Sequence, residues 1–209
     1  MDIFSIEEAA WKLRNGSIVA YPTETVYGLG TIIYEIDAVE RLKEIKGISR
    51  SKPLSVLISK NRPAMIEELV PSFCPLAQRL AKFYWPGPLT IIHEARPDVP
   101  KVVTGQTEMV GLRCSPHPGL NKLVELVGHP IITTSANLTG KAPALNYEEV
   151  FSYFEGVIDG ILLFDELHAS EKPQASNIPS TVVLVDFHHI EILREGAIKK
   201  EDIFRKIYD

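Results

Sequence analysis

Tyr21-Pro22-Thr23-Glu24-Thr25-Val26-Tyr27-Gly28-Leu29-Gly30 follows the apolar run Ser17-Ile18-Val19-Ala20, which has the length and composition of a buried strand. Pro22 has no N–H to give a strand ladder, so the strand ends or bends there. Two threonine hydroxyls, a carboxylate and a tyrosine come next, closed by Gly28 and Gly30. A core strand that hands the chain to small hydroxyls and glycines makes a sheet mouth suited to a polar ligand.

Outward from this stretch, helical and strand-like periods alternate. Ser5 to Glu8 matches a capping box and opens a helix through Trp11 and Leu13, with Gly16 as its stop. A second strand is expected near Leu29 to Ile33. A helix follows from Asp37 to Ile45, with Val39, Leu42 and Ile45 inward and Gly47 ending it. Leu54 to Ile58 reads as a strand, and Ala64 to Leu69 and Leu76 to Tyr84 as helices. Pro86-Gly87-Pro88 breaks the chain before the strand Leu89 to Ile92. Glu94 to Glu108 has little periodicity and is expected to be a loop or hairpin. Strands are expected at Val110 to Cys114, Pro130 to Thr134, Ile161 to Phe164, Thr181 to Val185 and Ile190 to Leu193. Helices are expected at Gly119 to Val127, Tyr147 to Phe154 and Lys200 to Tyr208, and an exposed loop from Glu166 to Pro179. The fold class is α+β (α/β mixed): one domain over residues 1–209, three layers around a mixed parallel and antiparallel sheet.

Composition narrows the functional classes. The 209 residues carry 22 basic and 27 acidic side chains, an acidic balance that argues against a surface coating nucleic acid. Cys74 and Cys114 are too few and too far apart for a disulfide framework or a zinc site, which fits a reducing cytoplasm. The start lacks the basic and apolar regions of a signal peptide, and no apolar run approaches the ~20 residues that span a bilayer. A cytoplasmic protein without membrane contact is expected.

Several segments carry the residue types of an anion site. Between Lys46 and Lys60 stand four cations and no carboxylate, with Lys46, Arg50 and Lys52 around Gly47 and Pro53. Unopposed positive charge attracts polyphosphate, though the glycine spacing is not that of a P-loop. Arg113 and Arg194 end apolar strands, where a guanidinium must find a ligand anion or an internal partner such as Glu195. Thr133-Thr134-Ser135-Ala136-Asn137 ends another strand in hydroxyls and an amide, and Ser180-Thr181 repeats the theme. Trp85 is expected to pack in its turn, and the role of Thr90 is left undecided between packing and a ligand. His93, His117, His129, His168, His188 and His189 make no metal-ligand spacing, and no Gly-x-Ser-x-Gly elbow or cysteine nucleophile motif is found. The residues suit holding and polarising anions rather than covalent catalysis.

With these segments in view, the chain resembles the YrdC-like family of threonylcarbamoyl-AMP synthases. The resemblance rests on Tyr-Pro-Thr-Glu-Thr-Val-Tyr-Gly-Leu-Gly, Trp-Pro-Gly-Pro-Leu-Thr, Gly-Leu-Arg-Cys-Ser-Pro-His-Pro, Thr-Thr-Ser-Ala-Asn-Leu-Thr-Gly, Pro-Ser-Thr-Val-Val and Leu-Arg-Glu-Gly-Ala-Ile, in family order from Ser17 to Ile198. It implies a strongly twisted sheet with an open basic cavity, in the short single-domain form. It also implies a reaction of L-threonine, bicarbonate or carbon dioxide, and ATP with Mg2+, giving threonylcarbamoyl-AMP and pyrophosphate. The product would pass to the tRNA-modifying threonylcarbamoyl transferase machinery. By position, Thr25, Arg113, Thr133 and Ser180 are expected at threonine and its carbamate, with Arg113 as a bidentate clamp on the carboxylate. Lys46, Lys52, Ser135, Asn137 and Arg194 are expected at ATP, with Arg50 in place of an absent family arginine. That arginine is Ile48 here, and a histidine common in the family is Leu57. Two other readings stay open: a carbamoyl-adenylate enzyme with another substrate, and a non-catalytic RNA-binding or ribosome-associated protein.

Overall fold

The computed structural model describes residues 1–164 and 178–208; the loop expected at Glu166 to Pro179 falls mostly outside them. The strands, all in one sheet, are β1 (Asp2–Phe4), β2 (Val19–Tyr21), β3 (Gly28–Gly30), β4 (Ser55–Leu57), β5 (Leu89–Glu94), β6 (Met109–Arg113), β7 (Ile131–Ser135), β8 (Gly160–Leu162), β9 (Thr181–Val185) and β10 (Ile190–Arg194). Their order is β1-β8-β2-β3-β7-β4-β6-β5-β9-β10. The pairs β1/β8, β2/β8, β4/β6 and β5/β9 are parallel; the other neighbours run antiparallel. The expected mixed sheet is therefore present.

Eight helices accompany it among the described residues: α1 (Ile6–Arg14), α2 (Ile36–Lys46), α3 (Ala64–Leu69), α4 (Pro75–Tyr84), α5 (Lys101–Thr104), α6 (Pro118–Val127), α7 (Tyr147–Phe154) and α8 (Lys200–Tyr208). α1 begins with the expected capping box: the Glu8 amide donates to Ser5 Oγ, and the Ser5 amide donates to the Glu8 carboxylate. α2 ends at Gly47, in the left-handed region at φ 60°. Val56 and Leu57, like Ile131 and Ile132, are successive strand residues on opposite faces, and all four are buried. Both faces of the central sheet are thus covered, as a three-layer architecture requires. A smaller apolar cluster joins α4 and α8 to β5, β9 and β10 through Leu80, Leu89, Ile91, Val183, Ile203 and Ile207.

Three local expectations are refined. The Glu94 to Glu108 stretch connects the antiparallel pair β5 and β6 as expected of a loop or hairpin, but it also contains the short helix α5, with the Leu54 amide bonded to the Val103 carbonyl. β1 has no counterpart in the sequence reading; it is three residues long and acquires its pairing from β8, far along the chain. On α2, Ile45 is only half-buried, while Val39, Leu42, Lys43 and Lys46 are buried. Their spacing is i, i+3, i+4, i+7, so the inward stripe includes two lysines.

Candidate active site

Strand register assembles one polar file across one face of the sheet. Thr90 stands opposite Val182 on one side and Arg113 on the other. Ser55 stands opposite Gly111 and Thr133, and Ser135 opposite Gly28. Because side chains alternate with period two, Gly111 and Arg113 share a face, as do Thr133 and Ser135. All of these residues except Gly111 line a cavity of about 500 Å³, within the size range of ligand sites. Gly111 keeps its floor low, since a Cβ there would lie 2.8 Å from Ser55 Oγ.

The opening motif forms one wall. Tyr21 is fully buried and donates from its hydroxyl to the Ile132 carbonyl at 3.0 Å, and burial raises its phenol well above the ordinary range. Its ring lies over β3, where a Cβ on Gly28 would come within 2.8 Å of it. The tyrosine and the two glycines are therefore one packing unit, which places the 22–26 turn at the cavity edge. Within that turn Thr23 Oγ1 donates to the Val26 carbonyl and accepts from the Thr25 amide.

Among the described residues, three cations, Lys52, Arg113 and Arg194, line the cavity, and none of the lining residues is acidic. Arg113 Nη2 donates to Glu24 Oε1 at 2.6 Å and to Thr25 Oγ1 at 3.0 Å, while Glu24 Oε2 accepts from Ser115 Oγ at 2.5 Å. Arg113 Nε is buried with no hydrogen-bond partner among the described residues. Each Nη2 proton belongs to one of the two edges by which a guanidinium grips a carboxylate, and both are engaged. A two-pronged hold on a ligand would displace Glu24 or Thr25. Arg194 donates through Nη2 and Nε to the Ser180 carbonyl, at 2.8 and 3.2 Å. Burial lowers its pKa, and the charge of Arg113 adds to the effect. Glu195, the internal partner considered for Arg194, instead pairs with Lys199 at 3.0 Å. Ser180 Oγ lies 3.1 Å from Thr90 Oγ1.

The expected site residues divide into two groups. Thr25, Arg113, Thr133, Ser180, Lys52, Ser135 and Arg194 all line the cavity. Lys46, Arg50 and Asn137 do not. Lys46 is buried, and its ammonium donates to the Ser135 carbonyl and to both the carbonyl and Oδ1 of Asn137. Burial pulls its pKa down to about 8, with the Lys52 charge adding. Its three protons are committed to the 135–137 turn rather than turned to the cavity. Arg50 points along the outside of α2 toward Glu40 and Glu44, at 3.7 and 3.8 Å, and is 76% exposed. Ile48, at the position of the absent arginine, is in the wall, and Leu57 is buried in the core.

Sequence reading missed Glu24 as the partner of Arg113, although it is the one carboxylate in the opening motif. It also missed Ser55 and Val182, which only the strand register brings to the cavity. Trp85 packs as expected, stacked on Phe73 and donating to the Leu89 carbonyl. Burial pushes the Cys114 thiol up to about 11, which makes it a poor nucleophile. No described helix is long and apolar enough to cross a membrane.

Residues 12–196 match the Sua5/YciO/YrdC family model, described as telomere recombination. A threonylcarbamoyl-AMP synthase of Pyrococcus abyssi is 35% identical over 204 residues, 98% of this chain and 57% of that protein. One from Bacillus subtilis is 37% identical over 200 residues, 95% of this chain and 55% of that protein. The crystal structure of P. abyssi Sua5 complexed with L-threonine superposes with a TM-score of 0.89 at 33% identity, covering 99% of this chain and 61% of that one. The chain thus spans little more than half the length of these relatives.

Proposed function

The chain belongs to the Sua5/YciO/YrdC family, and from that premise we propose that it is an L-threonylcarbamoyladenylate synthase. The observation that carries the reading is the convergence of Lys52, Arg113 and Arg194 on a wall of hydroxyls, with no acid among the described lining residues. Such a site suits the holding of anions.

In the proposed reaction, the free amine of L-threonine adds to carbon dioxide and loses a proton, giving a carbamate. A carbamate oxygen then attacks the α-phosphorus of ATP. The bond to the β,γ-phosphates breaks, and pyrophosphate leaves with that electron pair. Thr25, Thr133 and Ser180 offer hydroxyls to threonine and its carbamate, and Arg113 supplies the positive charge that its carboxylate needs. Lys52 and Arg194 neutralise phosphate charge, and Ser135 borders the nucleotide. Catalysis is then positioning plus preorganised charge. Mg2+ would enter on the ATP phosphates, since no three His, Cys, Asp or Glu side chains among the described residues gather to hold an ion. The product would feed tRNA threonylcarbamoyladenosine modification.

One observation favours a variant of this reading. Ile48 puts an apolar side chain in the wall where the family resemblance implies an arginine at ATP, a change that keeps a carbamoyl-adenylate enzyme with another substrate in play. Pyrophosphate release from ATP and bicarbonate, measured with L-threonine, L-serine, glycine or no amino acid, separates the two. Release that requires threonine is expected. Release driven better by another amino acid would replace threonine as the substrate, and release indifferent to amino acids would remove the synthase reading.

A further inference from the structure

We propose that Lys43, a buried lysine outside the cavity, is a positioning residue that shapes the 47–54 loop and so presents Lys52 to the phosphates of the nucleotide. Lys43 is 1% exposed, on the apolar stripe of α2. Its ammonium donates to the carbonyl of Arg50 at 2.9 Å and to that of Lys52 at 2.8 Å. Its own carbonyl accepts from the Ile48 amide at 2.8 Å. The side chain thereby holds the loop at Arg50 and Lys52, while the backbone of the same helical residue holds its start.

The opposite side of the loop is held as closely. The Ser51 carbonyl accepts from the Gln106 amide, and the Leu54 amide donates to the Val103 carbonyl. A Cβ on Gly105 would collide with the Ser51 carbonyl, so glycine is needed where α5 meets the loop. Lys43 also turns the carbonyls of Arg50 and Lys52 onto a buried cation, so their negative ends are neutralised beside a site for anions. Lysine side chains lose much rotamer freedom on ordering. A loop fixed in advance leaves less of that cost to be met on binding, and this is the advantage the Lys43 clamp gives to Lys52.

The inference rests on the nucleotide reading above, so its test has one arm free of nucleotide. In ligand-free protein, Lys43→Met is expected to speed amide hydrogen exchange across 47–54 by about tenfold or more, with exchange in β5 and β6 unchanged. In the second arm, calorimetric titration with Mg·ATP is expected to show about tenfold weaker binding for Lys43→Met, with L-threonine binding unaltered. On a Lys52→Met background, the Lys43 substitution is expected to add nothing, because it acts through Lys52. Lys43→Gln, which keeps donors, is expected to fall between wild type and Lys43→Met, and serves if the methionine variant does not fold. Unchanged loop exchange, or ATP losses that add independently in the double variant, would overturn the proposal. A wild-type protein that binds threonine but no ATP would sink the synthase reading, and loop exchange would still decide the role of Lys43.

Discussion

Arg113→Met is expected to lower kcat/KM for threonine-dependent pyrophosphate release by at least about a hundredfold, the scale of losing a preorganised charge-stabilising donor. It is also expected to destabilise the fold. The Arg113 and Glu24 side chains are only 12% and 17% exposed, and their contact is 2.6 Å. Removing the cation leaves a poorly solvated carboxylate whose remaining partner is Ser115, a situation that costs about 3 kcal/mol or more. Adding Glu24→Gln removes that stranded charge while keeping an acceptor for Ser115. The double variant should therefore regain much of the lost stability in urea unfolding and none of the lost turnover. Recovery of turnover in the double variant would mean that Arg113 serves Glu24 and not the substrate.

The second large effect lies in the core. Gly30→Ala is expected to destabilise by about 3 kcal/mol or more, at the upper end for overpacking. Its Cβ would be driven against the Ile132 carbonyl and the Tyr21 hydroxyl, two groups already bonded to each other. Neither can retreat, because Ile132 sits within a paired strand and Tyr21 is enclosed. Gly140→Ala is the control. Gly140 has φ 82°, yet nothing lies within 4 Å of its Cβ position, so only the left-handed backbone is strained, at about 1–2 kcal/mol. Unfolding midpoints that moved equally in the two variants would show that close approach over β3 is not what requires Gly30.

The same tyrosine–glycine unit shows how far the sequence could be read. Tyr21, Gly28 and Gly30 identified a strand delivering a polar mouth, and the structure gives the reason as ring-on-glycine packing. Caps and breakers were equally legible, because Ser5, Gly47 and the Pro86–Pro88 turn act on neighbours within a few residues. Strand order was not legible. Ser55, Thr90 and Thr133 meet only through pairings among β4, β5, β6 and β7, which no local pattern encodes.

In the basic loop, a different feature of the structure separates what the sequence groups together. Charge counting treated Lys46, Arg50 and Lys52 alike, whereas helix geometry separates them. Lys43 and Lys46 fall on the stripe of Val39 and Leu42 and turn inward, and Arg50 turns to the acids on the exposed side of α2. That spacing was present in the sequence, and the usual exposure of lysine argued against reading it. The tie between Glu24 and Arg113 was hidden by separation, since each acquires its partner only when β6 reaches the 22–26 turn.

The fate of the carbon distinguishes threonylcarbamoyl-AMP synthesis from other phosphate chemistry. The purified protein would be incubated with ATP, L-threonine and 13C-labelled bicarbonate, and its nucleotide products weighed by mass spectrometry. An AMP adduct containing threonine and one labelled carbon, formed with pyrophosphate, is expected. AMP and pyrophosphate released without labelled carbon in any adduct would contradict the synthase reading, and would leave the three-cation cavity as a site for some other phosphate chemistry.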